Sequence, residues 1–576
     1  MVLIIAKLGF ADLLILFIFL FISFGISLIS RRKNKEQTAF FLGGRSSSWF
    51  MLGISMVATT FAADTPLAIT EIVRENGISG NWLWWNAMLG GMFTAVFFAL
   101  FWRRSGVTTE VELIELRYSG KPARVLRKIK AIHLGFLMNV MVMAWVNLAW
   151  SSILTYFLGL NGNEVKWALL GNMLFVVFYV QIGGLKAVIR TDALQFALAM
   201  FGSIILAYFV TKSPEIGGVR NISTHLPDET LKFVPSLQVG DSSFFAIGLT
   251  TLIAYLGVVW WSSWYPGQEP GGGGYVVQRI LSAKSNKDGV LATLLFQVGH
   301  FCLRPWPWIL VALCSIIIYP DLPKSEARFG YLMLIHDFLP NGWRGLMLAG
   351  FAGAYMSTIS TQLNWGASYL INDFVPPEKT KKLGFKTLTI SVMLLLAVVS
   401  VMLSFYIDSI KSVWQFILET GAGLGLVLIL RWYWWRINVW SEISATFAPW
   451  IFFALSYFML DLKFPNSLFF TVAATTFVWL IVTYLTKPEQ QSTLKRFYQK
   501  VHPFGLWGGI GEKPGNRSLI FMFLAWICGV IFIVSLLFLI GKILLQPTSS
   551  ILTYTFSCGL SLLGLFFGLK QSKILR

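Results

Sequence analysis

The sequence is poor in charged side chains. Only 13% of its 576 residues are Asp, Glu, Lys or Arg, whereas about a quarter would be charged in a typical soluble protein. The chain is instead 56% hydrophobic, with a mean hydropathy of +0.67. This composition excludes an ordinary soluble protein and predicts an all-α protein that crosses a lipid bilayer many times.

Histidine and cysteine are also scarce, with five and four residues in the whole chain. The cysteines all lie within apolar stretches and show no metal-ligand spacing, so we expect them to be small core residues. No spanning histidine pair, nucleophile motif or acid cluster is evident in the sequence. We therefore expect neither an enzyme nor an organic cofactor nor a transition-metal site.

Basic residues outnumber acidic ones by 46 to 27, giving a formal net charge of +19. They fall in short clusters between apolar runs, for instance at 103–130, 279–287 and 487–517. This distribution argues against a nucleic-acid partner and is typical of loops on the cytosolic side of a membrane. The alternation predicts an N-terminus outside and a C-terminus in the cytosol, in the plasma membrane or, for a bacterium, the inner membrane.

Apolar runs of about 20 residues are long enough to cross a bilayer as helices. About fifteen are present, and the first is long and lacks a small-residue cleavage site, which predicts a retained span. They lie near 10–30, 50–72, 81–102, 131–158, 166–183, 188–211, 243–266, 290–319, 344–371, 385–406, 411–431, 444–461, 467–485, 518–541 and 550–569.

Two of these spans are irregular. The second carries Asp64 and Pro66, together with five hydroxyl side chains in residues 55–71, and we expect it to unwind around 61–66. The seventh runs through several tryptophans into a glycine-rich stretch, which predicts a break near 262–267. The breaks are five spans apart, as an inverted repeat of five helices each requires.

Polar residues in other spans indicate where an ion could bind. The ninth span places Ser357, Thr358, Ser360 and Thr361 within little more than one helical turn. Hydroxyl oxygens are hard, neutral ligands that suit sodium, although isolated hydroxyls often bond to their own helix. Asp192 follows a short glycine turn, so it is expected to cap a helix N-terminus or to act as a cation counter-charge.

The eighth span carries two titratable residues. His300 has no partner at metal-ligand spacing and is expected to be a core or interface residue. Arg304 lies near mid-span and should pair with an acid, for which Asp64 and Glu419 are candidates, or line water.

Four stretches between about residues 40 and 375 resemble the sodium:solute symporters, which include sodium/proline, sodium/galactose and sodium/sialic acid transporters. They read FLGGRSSSWFMLGISMVATTFAADTPL, YVQIGGLKAVIRTDALQ, VVQRILSAKSNKDGV and PNGWRGLMLAGFAGAYMSTISTQLN. The resemblance implies a leucine-transporter-type core of two inverted five-helix repeats, at 50–211 and 243–432 within a domain of 50–432. Residues 1–49 would hold one extra helix, and 433–576 about four more.

The resemblance also implies the sites of a symporter that imports a small organic solute with sodium by alternating access. The main sodium site would use carbonyls and hydroxyls of Ala58, Phe61, Ala354, Ser357 and Thr358, and a candidate second sodium site would use Asp192, Ser360 and Thr361. The solute would be bound by Thr60, Asp64, Thr65, Trp260, Trp261, Trp264 and Tyr265. The sequence leaves open whether the solute is a sugar, a polyol or an amino acid, and whether one or two sodium ions bind. It also leaves open proton coupling through Asp64 or Asp192, the oligomeric state, and a receptor function on the same fold.

Overall fold

A computed structural model of the chain describes residues 8–29, 40–235, 248–265, 267–407, 410–511, 516–546 and 550–575. The regular elements of these residues are helices, and β-structure is limited to two isolated bridges, Ser47 with Ala283 and Trp434 with Leu506. The predicted all-α fold class is confirmed. Pro266 and part of the predicted seventh span, at 243–247, lie outside the described residues.

The α-helices have widely different lengths. In chain order they are α1 (Phe10–Ile29), α2 (Trp49–Thr59), α3 (Thr65–Asn76), α4 (Trp82–Trp85), α5 (Ala87–Phe93), α6 (Ala99–Ser105), α7 (Leu113–Arg117), α8 (Gly120–Ile132), α9 (Asn139–Leu158), α10 (Gly162–Thr211), α11 (Ile222–His225), α12 (Asp228–Leu231), α13 (Leu249–Ala254), α14 (Trp260–Ser262), α15 (Gly274–Ser282), α16 (Asn286–Val298), α17 (Pro305–Ile318), α18 (Phe329–Phe338), α19 (Trp343–Tyr369), α20 (Pro377–Leu383), α21 (Phe385–Ser404), α22 (Ile410–Thr420), α23 (Leu424–Tyr433), α24 (Val439–Ala454), α25 (Asn466–Leu485), α26 (Gln491–Val501), α27 (Asn516–Leu545) and α28 (Ser550–Gln571).

Short segments of other helix types continue or connect these elements. The 3-10 segments are Ile78–Asn81, Val219–Asn221 and Lys324–Glu326. The π segments are Thr94–Phe98, His133–Met138, Tyr255–Val259, Gly299–Leu303, Leu370–Phe374 and Leu455–Met459.

Within the described ranges, ten helical stretches are long and apolar enough to cross a membrane, or eleven when the bent pair α22 and α23 is taken as one span. The sequence-based number of fifteen is larger because several spans are interrupted or merged. Helix α10 contains two predicted spans, which meet at Gly184 with φ 58° and ψ −160°. A Cβ at this position would lie 2.9 Å from the carbonyl oxygen of Phe40, so both the backbone angle and the space require glycine.

Asp192 lies two turns beyond this bend, inside a continuous helix. The expectation that Asp192 caps a helix N-terminus is therefore wrong. The helix resumes directly after Gly184 instead of near residue 188, and the Thr191 hydroxyl donates to the carbonyls of Ala187 and Val188 on the preceding turn.

Helix α19 is the most enclosed long helix of the bundle, with contacts to α1, α2, α9, α10 and α21. Small residues allow this close packing, since a Cβ on Gly350 would lie 3.1 Å from the Cα of Ala199 in α10. Asp12 of α1 closes the N-terminus of α19, because its Oδ1 accepts from the amides of Gly342 and Gly345, each at 2.7 Å. The bundle thus holds the hydroxyl-rich turn of α19 at a fixed depth.

Candidate functional site

The first break separates α2 from α3 at residues 60–64. Pro66 lies in the first turn of α3, where its missing amide hydrogen costs nothing, but its ring prevents the two helices from being continuous. The Phe61 amide donates to the carbonyls of Val57 and Ala58, at 3.1 and 3.0 Å. The expected unwinding of this span is confirmed, one residue earlier than predicted at its start.

The second break separates α14 from α15 and includes the described residues 263–265 and 267–273, so it extends beyond the predicted 262–267. Residues of two neighbouring turns hold its ends. The Gly423 amide donates to the carbonyl of Ser262 at 2.9 Å, and the Gly274 amide donates to Glu110 Oε2 at 2.8 Å. Among the described residues between the two breaks there are four long helical stretches, at 78–105, 120–158, 162–183 and 185–211, in addition to the short helices α7, α11 and α12.

The residues expected to bind the main sodium ion are all buried where α19 meets the first break. The Thr358 hydroxyl donates to the carbonyl of Thr59 at 2.9 Å, which ties α19 to the last turn of α2. Ser357 points toward α10 and donates to Asp192 Oδ1 at 2.7 Å. Ala354 lies one turn earlier on α19, and the Phe61 ring packs on Trp308 with centroids 4.6 Å apart.

Asp192 is at the centre of a second polar cluster, beside the first. Its Oδ2 accepts from the Ser55 hydroxyl at 2.5 Å and lies 3.6 Å from a terminal nitrogen of Arg279. The same guanidinium donates to the hydroxyls of Thr361 at 2.8 Å and Thr59 at 3.4 Å. Arg279 and Asp192 are both fully buried. At the distance of 3.6 Å, the guanidinium is the cation partner of the Asp192 carboxylate.

The three residues of the candidate second sodium site already have partners in this arrangement. Of its three predicted members, Asp192 and Thr361 contact Arg279, while Ser360 donates to the carbonyl of Ser357 on its own helix at 3.0 Å. The sequence showed Arg279 within a basic cluster at the end of a span. Its contact with Asp192 joins residues far apart in the chain, and no local pattern predicts it.

A cavity of about 110 Å³ lies between the two breaks and is lined by residues from several helices. Five residues of the predicted solute site line it: Thr60, Asp64, Thr65, Trp260 and Tyr265. Further lining residues that the sequence did not single out are Trp84, Trp145, Gln268, Tyr275, Gln362 and Trp414. Thr59 and Thr358 also line the cavity, so it adjoins the expected sodium residues.

Two predicted solute residues lie elsewhere. Trp261 follows Trp260 directly, and neighbouring positions on a helix point about 100° apart. Its indole donates to the carbonyl of Gly257 at 2.6 Å and faces a separate groove beside α25. Trp264 is buried beside Glu110 and Arg431. The structure therefore does not place Trp261 and Trp264 in the lining of the cavity.

His300 and Arg304 also line the cavity. A π segment, Gly299–Leu303, carries His300 and ends directly before Arg304, and such segments often occur at functional sites. Thr60 Oγ1 lies 2.9 Å from His300 Nδ1 and accepts from Arg304 at 2.9 Å. Glu419, one of the suggested partners of Arg304, instead accepts from Ser467 at 2.5 Å and Gln415 at 2.9 Å.

Two interrupted helices around a central cavity define the class of helical membrane transporters in which substrate sites lie at discontinuous helices. The sequence matches the sodium:solute symporter family over residues 40–445, and the chain belongs to that family. It is a sodium-coupled solute symporter. The resemblance found in the sequence is thereby confirmed.

Among its relatives, sodium/glucose cotransporter 1 of Oryctolagus cuniculus is 26% identical over 481 residues, covering 74% of this chain and 69% of the relative. The sodium/iodide cotransporter of Homo sapiens is 27% identical over 385 residues, covering 62% of this chain and 55% of the relative. The sodium/glucose cotransporter of Vibrio parahaemolyticus is 23% identical over 510 residues, covering 82% and 90%.

A solved structure of similar fold is that of a Na⁺-coupled sialic acid symporter in a substrate-bound, outward-open state. It is 18% identical, covers 84% of this chain and 99% of that chain, and superposes with a TM-score of 0.66. At this identity the likeness concerns the fold alone.

Proposed function

We propose that the protein imports a small organic solute together with sodium, by alternating access around the cavity between the two broken helices. The observation that carries this proposal is the position of Thr59 and Thr358. They join the end of α2 to α19 through the 2.9 Å hydrogen bond, and both also line the cavity. An ion bound at this junction would therefore act directly on the wall of the solute site.

Sodium would be held by the carbonyls of Ala58, Phe61 and Ala354 and the hydroxyls of Ser357 and Thr358. Carbonyl and hydroxyl oxygens are hard ligands that suit a weakly held alkali cation. Unwound backbone is a common source of such carbonyls in transporters. The burial of all five residues and their position at the end of α2 support this assignment.

Coupling follows when sodium binds more tightly to one conformation than to the other, because a ligand shifts an equilibrium only by its differential affinity. Sodium at the end of α2 would fix the break that carries Thr60, Asp64 and Thr65, three residues of the solute cavity. The solute would then meet an ordered wall. After release of sodium to the cytosol, these residues would no longer be held in place, and the solute would bind less tightly.

The five-plus-five inverted repeat within 50–432, the extra regions 1–49 and 433–576, and the outward N-terminus and cytosolic C-terminus complete the proposal. The spacing of the two breaks supports the repeat, since four long helical stretches lie between them in the described residues. The cluster of basic residues in and around α26 supports a cytosolic position for the 487–517 loop.

The test is sodium-gradient-driven uptake into proteoliposomes by the wild-type protein and the double variant Ser357→Ala, Thr358→Ala. The double variant should need far more sodium for half-maximal uptake while remaining folded. Ser368→Ala is the matched control, because its hydroxyl bonds to the Trp365 carbonyl of the same helix at 2.7 Å. Equal sodium dependence in both variants would refute the sodium site.

The same vesicles separate the rival functions. Uptake driven by a pH gradient without sodium would indicate proton coupling. Solute binding without any flux would indicate a receptor on the transporter fold.

A further inference from the structure

The solute cavity contains two opposite charges that do not pair directly. Asp64 lies at the end of the first break, and Arg304 directly precedes α17. Both line the cavity and are almost fully buried. Within the described residues, no carboxylate oxygen lies within 4.0 Å of the Arg304 guanidinium. The cavity thus has a cationic and an anionic position, each without a counter-ion in contact.

The contacts of Arg304 are made to neutral groups. One terminal nitrogen donates to Thr60 Oγ1 at 2.9 Å and lies 3.4 Å from the carbonyl of Val57. The other lies 3.4 Å from His300 Nε2, and Nε has no hydrogen-bond partner among the described residues. A guanidinium has five donors and prefers a carboxylate or another oxyanion, so these contacts leave it under-satisfied.

Asp64 has the complementary deficit. Its Oδ1 is buried and has no hydrogen-bond partner in the described part of the chain. An ionised carboxylate is an acceptor only, and burying one with an unused oxygen is unfavourable. The groups that favour the charged form of Asp64 are the side chains of Trp145 and Thr65 and, beyond contact distance, Arg304. The surrounding wall includes Trp145, Trp260 and Tyr265, whose ring faces attract cations.

We infer that the transported solute is a small zwitterion with a carboxylate at one end and an ammonium group at the other, of the α-amino acid class. The carboxylate would bind Arg304, and the ammonium group would bind Asp64. This inference rests on the proposed function of the cavity as the solute site. Such a ligand supplies both missing counter-charges at once, through charge-assisted hydrogen bonds.

Other solute classes satisfy only part of this site. A simple carboxylate would bring a second negative charge near Asp64. A simple amine would bring a second positive charge near Arg304. A neutral polyol supplies donors and acceptors but no charge.

The first experiment measures thermal unfolding of the purified full-length protein in NaCl and in KCl of equal concentration. The probes are glycine, L-alanine and L-serine, matched against propionate, ethylamine, glycerol and glucose. Binding to the folded state raises the unfolding temperature by mass action. Stabilisation is expected from the amino acids, in NaCl more than in KCl, and from none of the other probes.

Two variants then test the charge assignment. Arg304→Gln and Asp64→Asn should each weaken amino acid binding about 10- to 100-fold. They should also differ in a way that a merely structural defect would not, since Arg304→Gln should favour ethylamine over propionate and Asp64→Asn the reverse. Arg344→Gln is the control, because Arg344 donates to the Leu339 carbonyl at 2.7 Å and does not line the cavity.

The effect of sodium without any solute distinguishes failure of this inference from failure of the proposed function. If sodium stabilises the protein but glycerol or glucose binds, or no amino acid does, the zwitterion assignment is overturned. Unchanged probe preference in both variants would overturn it too. If sodium neither stabilises the protein nor drives uptake, the proposed function fails first.

Discussion

Replacing Arg279 with glutamine should make the protein depend on sodium for its stability. The substitution removes a buried cation that lies 3.6 Å from Asp192 and leaves this carboxylate at full burial. It also removes the donor to Thr361. The vacancy is flanked by hydroxyls of Ser55, Thr59 and Thr361, which are oxygen ligands of the kind that sodium accepts.

The size of the effect follows from the burial of the pair. Removing one partner of a buried ion pair costs about 3–5 kcal/mol, because the other charge loses its counter-ion. Asp192 keeps its hydrogen bonds from Ser55 and Ser357, so we expect the lower end of this range. A sodium ion bound there at 100 times its dissociation constant would restore about 2.7 kcal/mol, which is most of the loss.

The assay compares the free energy of unfolding in NaCl and in KCl for the wild type, Arg279→Gln, Asp192→Asn and the double variant. Both single variants should be destabilised. The loss of unfolding free energy in the double variant should be about 2–3 kcal/mol smaller than the sum of the two single losses, because the two residues are coupled. Arg74→Gln is the control. Its guanidinium donates to the carbonyls of Ser315 and Tyr319, so its loss should not increase the effect of sodium.

Counting sodium ions gives the functional readout. With Arg279 in contact with Asp192, we expect one sodium ion per transport cycle, and Arg279→Gln should bind a second. Additive effects of the two substitutions would refute the reasoning. So would two sodium ions per cycle in the wild type with no change in the variant.

Three further predictions concern single contacts. Thr358→Val removes the donor to the Thr59 carbonyl and should raise the half-saturating sodium concentration about 5- to 30-fold, whereas Ser368→Ala should not; equal values would contradict the sodium site. Asp12→Ala removes the acceptor at the N-terminus of α19 and should cost about 1–2 kcal/mol of unfolding free energy with unchanged sodium affinity. Trp261→Leu should leave solute affinity within about twofold, because the indole lies outside the cavity, and a larger loss in binding assays would contradict that placement.

Local chemistry made the fold and the first break predictable. Span lengths follow from the thickness of the bilayer, and the ring of Pro66 prevents a continuous helix wherever the rest of the chain lies. The glycine pair before Asp192 misled for the same local reason. Two glycines suggest a loop of several residues, but Gly184 alone makes the bend, and the helix resumes at once.

The composition of the candidate site could be predicted only in part. The hydroxyls of α19 and the acid of the first break stand out, since such residues are rare in a bilayer. The partner of Asp192 does not stand out, because Arg279 resembles the other basic residues at the end of a span. Which of two adjacent tryptophans faces the cavity likewise depends on the rotation of α14, and packing against neighbouring helices sets that rotation.

Thr59 connects the expected sodium site, the Asp192–Arg279 ion pair and the solute cavity. Its carbonyl accepts from Thr358 beside the expected sodium ion. Its hydroxyl lies 3.2 Å from that of Thr361 and 3.4 Å from Arg279, and the residue also lines the solute cavity. A small rotation at the end of α2 would therefore alter the sodium residues, the buried ion pair and the cavity wall together. Since the unwound residues begin directly after Thr59, this is also where the backbone can rotate without breaking a continuous helix.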